Sequence, residues 1–198
     1  LLQMSMMTVK RIIRQEKRHT FVKIGGTTKP GSLLKHHIAI RHGPWGETDP
    51  GWCETDTVAH CGETVAGEFI YSLNVIDIFS SWSEQRAIWG KGERATVQQI
   101  EQIRRRLPFP LLGLDPDNGS EFINWHLHRW AAINKIELTR SRPYQKNDNA
   151  HIEQKNWTAI RQLIGYERLD KKEQVGLLND LYAHEWRCFV NFFQPTLK

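Results

Sequence analysis

The sequence predicts a mixed α/β domain in which helices cover both faces of one sheet. Three strand-like segments come first, a helix follows them, and two further strands then alternate with helices. The segment before Asp115 is short and fully apolar, as expected for a strand that is buried on both faces. A chain of 198 residues is long enough for one well-buried domain with extensions, but short for two full domains.

The amino-terminal residues predict a helix followed by a linker. In residues 1–17, apolar side chains at helical spacing lie opposite the basic residues Lys10, Arg11 and Arg14. This pattern fits the recognition helix of a partial helix-turn-helix, and equally an amphipathic helix with a solvated basic face. Residues 18–48 are basic and rich in Gly and Pro, which predicts a linker.

We expect the sheet to begin with an antiparallel hairpin. Residues 52–60, 68–79 and 82–89 carry the alternation and the β-branched and aromatic residues of strands. Only Ser80 and Ser81 separate the second strand from the third, so these two strands should pair directly. Asp56 lies on the first strand.

The remaining core elements alternate between helix and strand. Apolar residues at helical spacing predict a helix over 93–107, with Pro108 as its stop. Ser120 can cap the next helix. The further predicted elements are a strand at 110–114, a helix at 121–135, a strand at 136–141 and helices at about 150–165 and 170–193.

Three carboxylates at particular positions are the candidate reactive groups. Asp56 lies on a strand and Asp117 directly follows one, so both can meet at the carboxyl end of the sheet. Glu153 lies on a helix, 35 residues after Asp117. At ~100° per residue, Trp157 and Ile160 fall close to Glu153, which predicts that Glu153 lies within the apolar stripe. A charged residue there needs a partner, and a cation is the simplest one.

Each carboxylate also has an ordinary structural interpretation. An Asp before Asn-Gly is usually a turn former, and an Asp on a strand is often an N–H acceptor. Asp77, Asp115 and Asp148 are nearby alternatives, and Glu121 is expected to hold the start of a helix. The argument for function therefore depends on the order and spacing of the three carboxylates together.

The order and spacing resemble the D,D-35-E triad of retroviral integrases and of the insertion-sequence transposases that share their core. The string Asp-Asn-Gly-Ser-Glu-Phe after residue 116 and the Arg-Pro-Tyr segment before Glu153 carry the same resemblance, which covers about residues 48–166. The long match through Asn-Asp-Asn-Ala-His-Ile-Glu is closest to the bacterial transposases. The resemblance implies a ribonuclease-H-like fold with a five-stranded sheet, preceded by the partial helix-turn-helix.

The implied activity is that of a polynucleotidyl transferase. Asp56, Asp117 and Glu153 are expected to bind two Mg²⁺ ions, for which Mn²⁺ can substitute, and to support 3′-end cleavage and strand transfer. The expected partners are the terminal inverted repeats, target DNA and further copies of the chain. The basic charge, +5 with a pI near 9.2, permits such binding.

DNA contacts outside the triad are expected from one further group of residues. These are Lys10, Arg11, Arg14, Lys146, Asn149, Lys155 and Arg161. Lys155 is predicted to point away from the sheet, where it can reach a phosphate. Trp157 is expected in the core.

The resemblance divides the chain into four regions. They are the partial helix-turn-helix at 1–17, the linker at 18–48, the catalytic core at 49–168 and a helical extension at 169–198 that we expect to be truncated. No apolar run is long enough to span a bilayer and no signal peptide is present, so we expect a cytoplasmic, nucleoid-associated protein and no membrane partner.

Two alternative functions stay open. The chain can be an inactive DNA-binding remnant of a transposase, or a nuclease of the same fold that acts on RNA·DNA hybrids. Cys53, His60 and Cys61 lie close in sequence to several other His residues, but no Cys-x-x-Cys or His-x(3–5)-His pair is present, so reduced structural cysteines are favoured over zinc.

Overall fold

The predicted mixed sheet is present and gains one edge strand. The computed structural model describes residues 37–41, 48–142 and 150–194, and the predicted helix at 1–17 lies outside them. In this described part the strands form one six-stranded sheet in the order β1-β6-β5-β2-β3-β4. The strands are β1 (Ala39–Ile40), β2 (Trp52–Ala59), β3 (Ile70–Asp77), β4 (Ser83–Trp89), β5 (Gly113–Pro116) and β6 (Glu137–Arg140).

Strand pairing confirms the hairpin and corrects two details. β3 pairs antiparallel with both β2 and β4, whereas β5 lies parallel to β2. β1 falls inside the predicted linker and pairs in parallel with β6, giving a sixth strand where five were expected. β5 begins three residues later than predicted, at Gly113, where the N–H groups of Leu112 and Gly113 both bond to the Gly51 carbonyl. Asp115 therefore lies within the strand.

Helices cover both faces of the sheet, as predicted. In the described residues they are α1 (Glu93–Arg104), α2 (Trp125–Asn134), α3 (Ala150–Lys155, continuing through a π-helical segment at Asn156–Arg161 to Gln162–Ile164), α4 (Gln174–Ala183) and α5 (Glu185–Cys188, ending in a π-helical segment at Phe189–Phe193). α2 starts at Trp125 and not at Glu121, because the Asn124 side chain accepts the N–H of Leu127 and so supplies the cap predicted for Ser120. The single C-terminal helix predicted at 170–193 is interrupted at His184.

The two faces of the sheet differ in chemistry. On one face, buried apolar side chains from the strands pack against α1 and α2; the cluster includes Cys53, Leu73, Val75, Leu114, Ile100, Ile103 and Leu127. On the other face, alternate residues of the same strands are polar and buried; they include Glu54, Ser72, Asn74, Ser83 and Gln85. Below we call these the apolar face and the polar face. α3 contacts β2 and β3, and α4 contacts β4.

Two asparagines bond to the outer edge of β4. Asn179 on α4 accepts the N–H of Ala87 at 2.9 Å and donates to its C=O at 3.1 Å. Asn191, in the π-helical end of α5, does the same for Ser83 at 2.8 and 2.9 Å. The C-terminal helices therefore satisfy backbone groups that an edge strand otherwise leaves unpaired. No helix in the described ranges combines the length and the apolar character needed to cross a membrane.

Candidate active site

Asp56 lies on the polar face of β2, where two hydrogen bonds fix the orientation of its carboxylate. It is opposite Asn74 in the antiparallel ladder with β3. The backbone N–H of Thr57 donates to Asp56 Oδ1 at 2.6 Å, and Asn156 Nδ2 donates to Oδ2 at 2.8 Å. Each carboxylate oxygen thus accepts one hydrogen bond.

Asp117 begins the turn that follows β5, and this turn is held from two sides. Its Oδ1 accepts the N–H of Gly119 at 2.9 Å. Asn118 accepts from Arg140 Nη1 at 3.0 Å and donates to the Ser141 C=O at 3.0 Å, which attaches the turn to β6. The parallel register pairs Thr55 with Pro116. Asp56 and Asp117 are the residues that immediately follow this pair, so they lie side by side at the same end of the two strands.

The two aspartates are close enough to affect each other electrostatically. Burial, and then the charge of Asp117, raise the pKa of Asp56 to about 7. Burial also raises the pKa of Asp117, against the opposing effects of the Gly119 N–H and the Lys91 cation. The predicted meeting of a strand aspartate and a post-strand aspartate is therefore present, and it concentrates negative charge in a poorly solvated place.

Glu153 lies on α3, but not on its buried side. The buried residues of this helix are Ile152, Lys155, Ala159 and Ile160, whereas Glu153 is exposed. The prediction that Glu153 lies in the apolar stripe is therefore wrong, and Trp157, expected in the core, is 51% exposed. The π-helical segment contributes to the error, since its wider turn changes the angular relation between Glu153 and the residues after it.

Two of the seven predicted DNA contacts, Lys155 and Arg161, lie in the described residues. Lys10, Arg11, Arg14, Lys146 and Asn149 lie outside the described residues. Lys155 is only 4% exposed, so the prediction that it points away from the sheet is wrong. The guanidinium of Arg161 donates to the carbonyls of Ala59 and Gly165 at 3.0 and 3.1 Å and lies over the Tyr166 ring. These bonds give Arg161 a structural role within the chain.

Glu121 is a site residue whose position the sequence did not predict. Instead of starting a helix, it is buried, accepts the Thr57 hydroxyl at 3.0 Å and pairs with Lys91 Nζ at 2.6 Å. A Cβ at Gly119 would lie 2.6 Å from Glu121 Oε2, so a larger residue there would require this carboxylate to move from its contacts with Thr57 and Lys91. In the sequence, the sign that Glu121 belongs to the site was its place in the Asp-Asn-Gly-Ser-Glu-Phe string.

The residues present fit a hard divalent cation in part. Asp56 and Asp117 bring two oxygen ligand groups of like charge together, and a cation offsets their repulsion. Within the described ranges, no three His, Cys, Asp or Glu side chains gather closely enough to hold a metal ion. The structure therefore brings two of the three predicted ligands together, with Glu153 on the neighbouring helix.

Sequence comparison identifies the family to which this fold and its paired aspartates belong. The integrase core domain model matches residues 47–146, so this chain belongs to the integrase core domain family of integrases and transposases. The matched segment contains Asp56 and Asp117 and ends before Glu153.

A curated relative and two solved structures are similar to this chain. The uncharacterized protein y4rM of Sinorhizobium fredii (strain NBRC 101917 / NGR234) is 37% identical over 168 residues, which is 84% of this chain and 48% of that protein. The chain thus spans about half the length of this relative.

The structural likeness confirms the ribonuclease-H-like fold. The catalytic core domain of BIV integrase matches with a TM-score of 0.55 and 15% identity, over 74% of this chain and 87% of that one. A chain of the simian T-cell lymphotropic virus intasome, solved in complex with PP2A regulatory subunit B56 gamma, matches with a TM-score of 0.57 and 13% identity. The match covers 88% of this chain and 57% of that one.

Proposed function

We propose that this chain carries the catalytic core of a bacterial insertion-sequence DNA transposase. The activity is metal-dependent 3′-end cleavage of the element's DNA, followed by strand transfer to target DNA. The observation that supports it most directly is the meeting of Asp56 and Asp117 beside the helix that bears Glu153. Membership of the integrase core domain family supports the same class of chemistry.

Asp56, Asp117 and Glu153 are the proposed ligands of two Mg²⁺ ions, with Mn²⁺ as a substitute. Such ions supply charge stabilisation for the attacking and leaving oxygens of an in-line displacement at phosphorus. The protein's contribution is orientation: the Thr57 and Gly119 N–H groups and the Asn156 amide hold the two aspartates before substrate arrives. Glu153 lies one helical turn before Asn156, which bonds to Asp56, and this proximity along α3 supports its assignment as the third ligand.

The proposed partners are DNA and further copies of the chain. Terminal inverted repeats and target DNA are the substrates that this activity requires, and the net charge of +5 favours their phosphates. Recognition of the repeats is assigned to residues 1–17, for which the sequence predicts a basic helix, and Lys146 and Asn149 are further proposed contacts. Pairing two element ends requires self-association of the chain. The proposed location of DNA cleavage and strand transfer is the bacterial nucleoid.

The test is a nicking and strand-joining assay on supercoiled plasmid with Mg²⁺ or Mn²⁺. We expect metal-dependent products that fall to background in Glu153→Gln and persist in the matched variant Glu167→Gln, which changes an exposed glutamate outside the site. Activity that survives Glu153→Gln contradicts the triad assignment.

The same assay separates the two remaining alternatives. Cleavage of an RNA·DNA hybrid in preference to duplex DNA identifies a nuclease of the same fold. Binding of DNA by a folded chain that gives no product with either metal identifies an inactive remnant.

A further inference from the structure

Asn156 connects the helix that bears Glu153 to the strand that bears Asp56. It is the first residue of the π-helical segment of α3, three residues after Glu153. Residues three apart on a helix are surface neighbours, about 5–6 Å between Cβ atoms. The bond from Asn156 Nδ2 to Asp56 Oδ2 at 2.8 Å therefore fixes the Asp56 carboxylate and the position of the Glu153 turn together.

The Asn156 amide can be useful to Asp56 in only one of its two orientations. Asp56 must be ionised to bind a cation, and an ionised carboxylate accepts hydrogen bonds and cannot donate them, so Asn156 must direct its NH₂ group at Asp56 in that form. Its carbonyl oxygen then faces the opposite way, and there it accepts Asn74 Nδ2 at 3.0 Å. If the amide were reversed, two oxygens would face each other at Asp56.

Asn74 determines which way the Asn156 amide points. Its own Oδ1 accepts the Ser83 hydroxyl at 3.1 Å and Gln85 Nε2 at 3.0 Å, which occupies both lone pairs. Its NH₂ group is left to donate to Asn156. Asn74, Ser83 and Gln85 are all at most 1% exposed, so water does not compete for these bonds. The donors on edge strand β4 thus fix the orientation of the Asn74 amide, which in turn fixes the orientation of the Asn156 amide at Asp56.

The arrangement leaves defined acceptor positions on Asp56. A carboxylate has about four lone-pair sites, and the Thr57 N–H and the Asn156 amide each occupy one, on different oxygens. One site remains on each oxygen, which suits a carboxylate that contacts two cations. Groups that orient a ligand in this way generally change metal affinity about 10–100-fold when removed.

We propose that Asn156 is a positioning residue that holds Asp56 and the Glu153 helix in the metal-binding arrangement, and that Asn74 sets the direction of its amide. This inference rests on the proposed function, because it assumes that Asp56 binds a cation.

The test is a Mn²⁺ titration of the full chain followed by electron paramagnetic resonance, with thermal unfolding measured on the same samples. We expect Asn156→Ala to weaken Mn²⁺ binding about 10–100-fold. Asn74→Leu, which is uncharged and of similar size, should also weaken it, because loss of the donor at position 74 removes the reason for the Asn156 amide to keep its direction. If Asn156→Ala does not fold, Asn74→Leu still decides the question.

Asn179→Ala is the matched control. It also removes an amide that makes two hydrogen bonds on the polar face, but those bonds go to the backbone of Ala87 and not to a carboxylate. We expect it to lower the melting temperature and to leave Mn²⁺ affinity unchanged.

The outcomes separate the two proposals. Unchanged Mn²⁺ affinity in the folded Asn156 and Asn74 variants overturns the positioning role and leaves the proposed function standing, provided that Asp56→Asn abolishes binding. An equal loss of affinity in Asn179→Ala also overturns it, since the effect is then general destabilisation. A parent protein that binds no Mn²⁺ removes the metal site and with it the proposed function.

Discussion

The apolar and polar faces of the sheet are built from alternate residues of the same strands, yet they contribute differently to the protein. Leu73 and Val75 point into the apolar face, whereas Ser72 and Asn74 point into the polar face from the same strand. Burial of apolar surface is non-directional, so many side chains can serve equally well on the first face. Buried hydrogen bonds are directional, so the second face accepts few substitutions.

The comparison shows where stability and where geometry come from. The apolar face supplies most of the burial that favours folding, and it contains neither proposed aspartate. The polar face places Asp56, Asn74 and Asn156 in one hydrogen-bonded chain at a cost in desolvation. Substitutions on the first face should therefore change mainly unfolding free energy, and those on the second should also change the site or its pH response.

The largest effect on stability is expected from Leu73→Ala. This side chain is fully buried between β2, β4 and the helices of the apolar face. Its truncation should lower the free energy of unfolding by about 2–5 kcal/mol, measured by urea denaturation. Leu177→Ala, at a position that is 73% exposed, is the control and should change it by less than about 0.5 kcal/mol. Similar effects in both variants would contradict the assignment of this core.

A smaller, pH-dependent effect is expected from His60 on the polar face. Burial, and then the charge of Arg161, lower the pKa of His60 from 6.5 to about 4. The unfolded chain therefore takes up a proton near pH 6.5 that the folded chain takes up only near pH 4, so stability falls as the pH falls through this window. The loss amounts to about 3 kcal/mol.

Urea denaturation at pH 7 and pH 4 tests this prediction. His60→Gln should remove this part of the acid sensitivity, and His126→Gln, which changes an exposed histidine, should retain it. Equal pH dependence in the parent and in His60→Gln would show that other groups cause the acid sensitivity.

The smallest effect is expected from Tyr182→Phe, which removes one hydroxyl. Tyr182 on α4 bonds to Ser72 at 2.8 Å, and Ser72 bonds to His60 at 2.8 Å. Losing this bond should cost about 0.5–1.5 kcal/mol, measured as a change in denaturation midpoint. Tyr166→Phe, at a position that is 68% exposed, should leave the midpoint unchanged. A larger loss for the exposed tyrosine would place the stabilising contact elsewhere.

Much of the fold and part of the site could be predicted from the sequence. Alternation placed β2 and β3 within a few residues of their observed bounds, and the position of Asp56 on β2 followed from it. The apolar run before Asp115 predicted the strand that Asp117 follows. β1 was missed, because two residues contain no measurable period and their pairing depends on distant β6. The orientation of Glu153 was missed because the angular argument assumed a uniform helix. The position of Glu121 was missed because its partner Lys91 is distant in sequence and leaves no local signature.

The bonds from Asn179 and Asn191 to β4 have a consequence for assembly. At Ser83 and Ala87, the outward N–H and C=O groups are already bonded within the chain, so a strand from a second copy finds no partner there. These bonds oppose the joining of two sheets through β4 while α4 and α5 stay in place. Association through other surfaces does not require the sheet that holds Asp56 to rearrange.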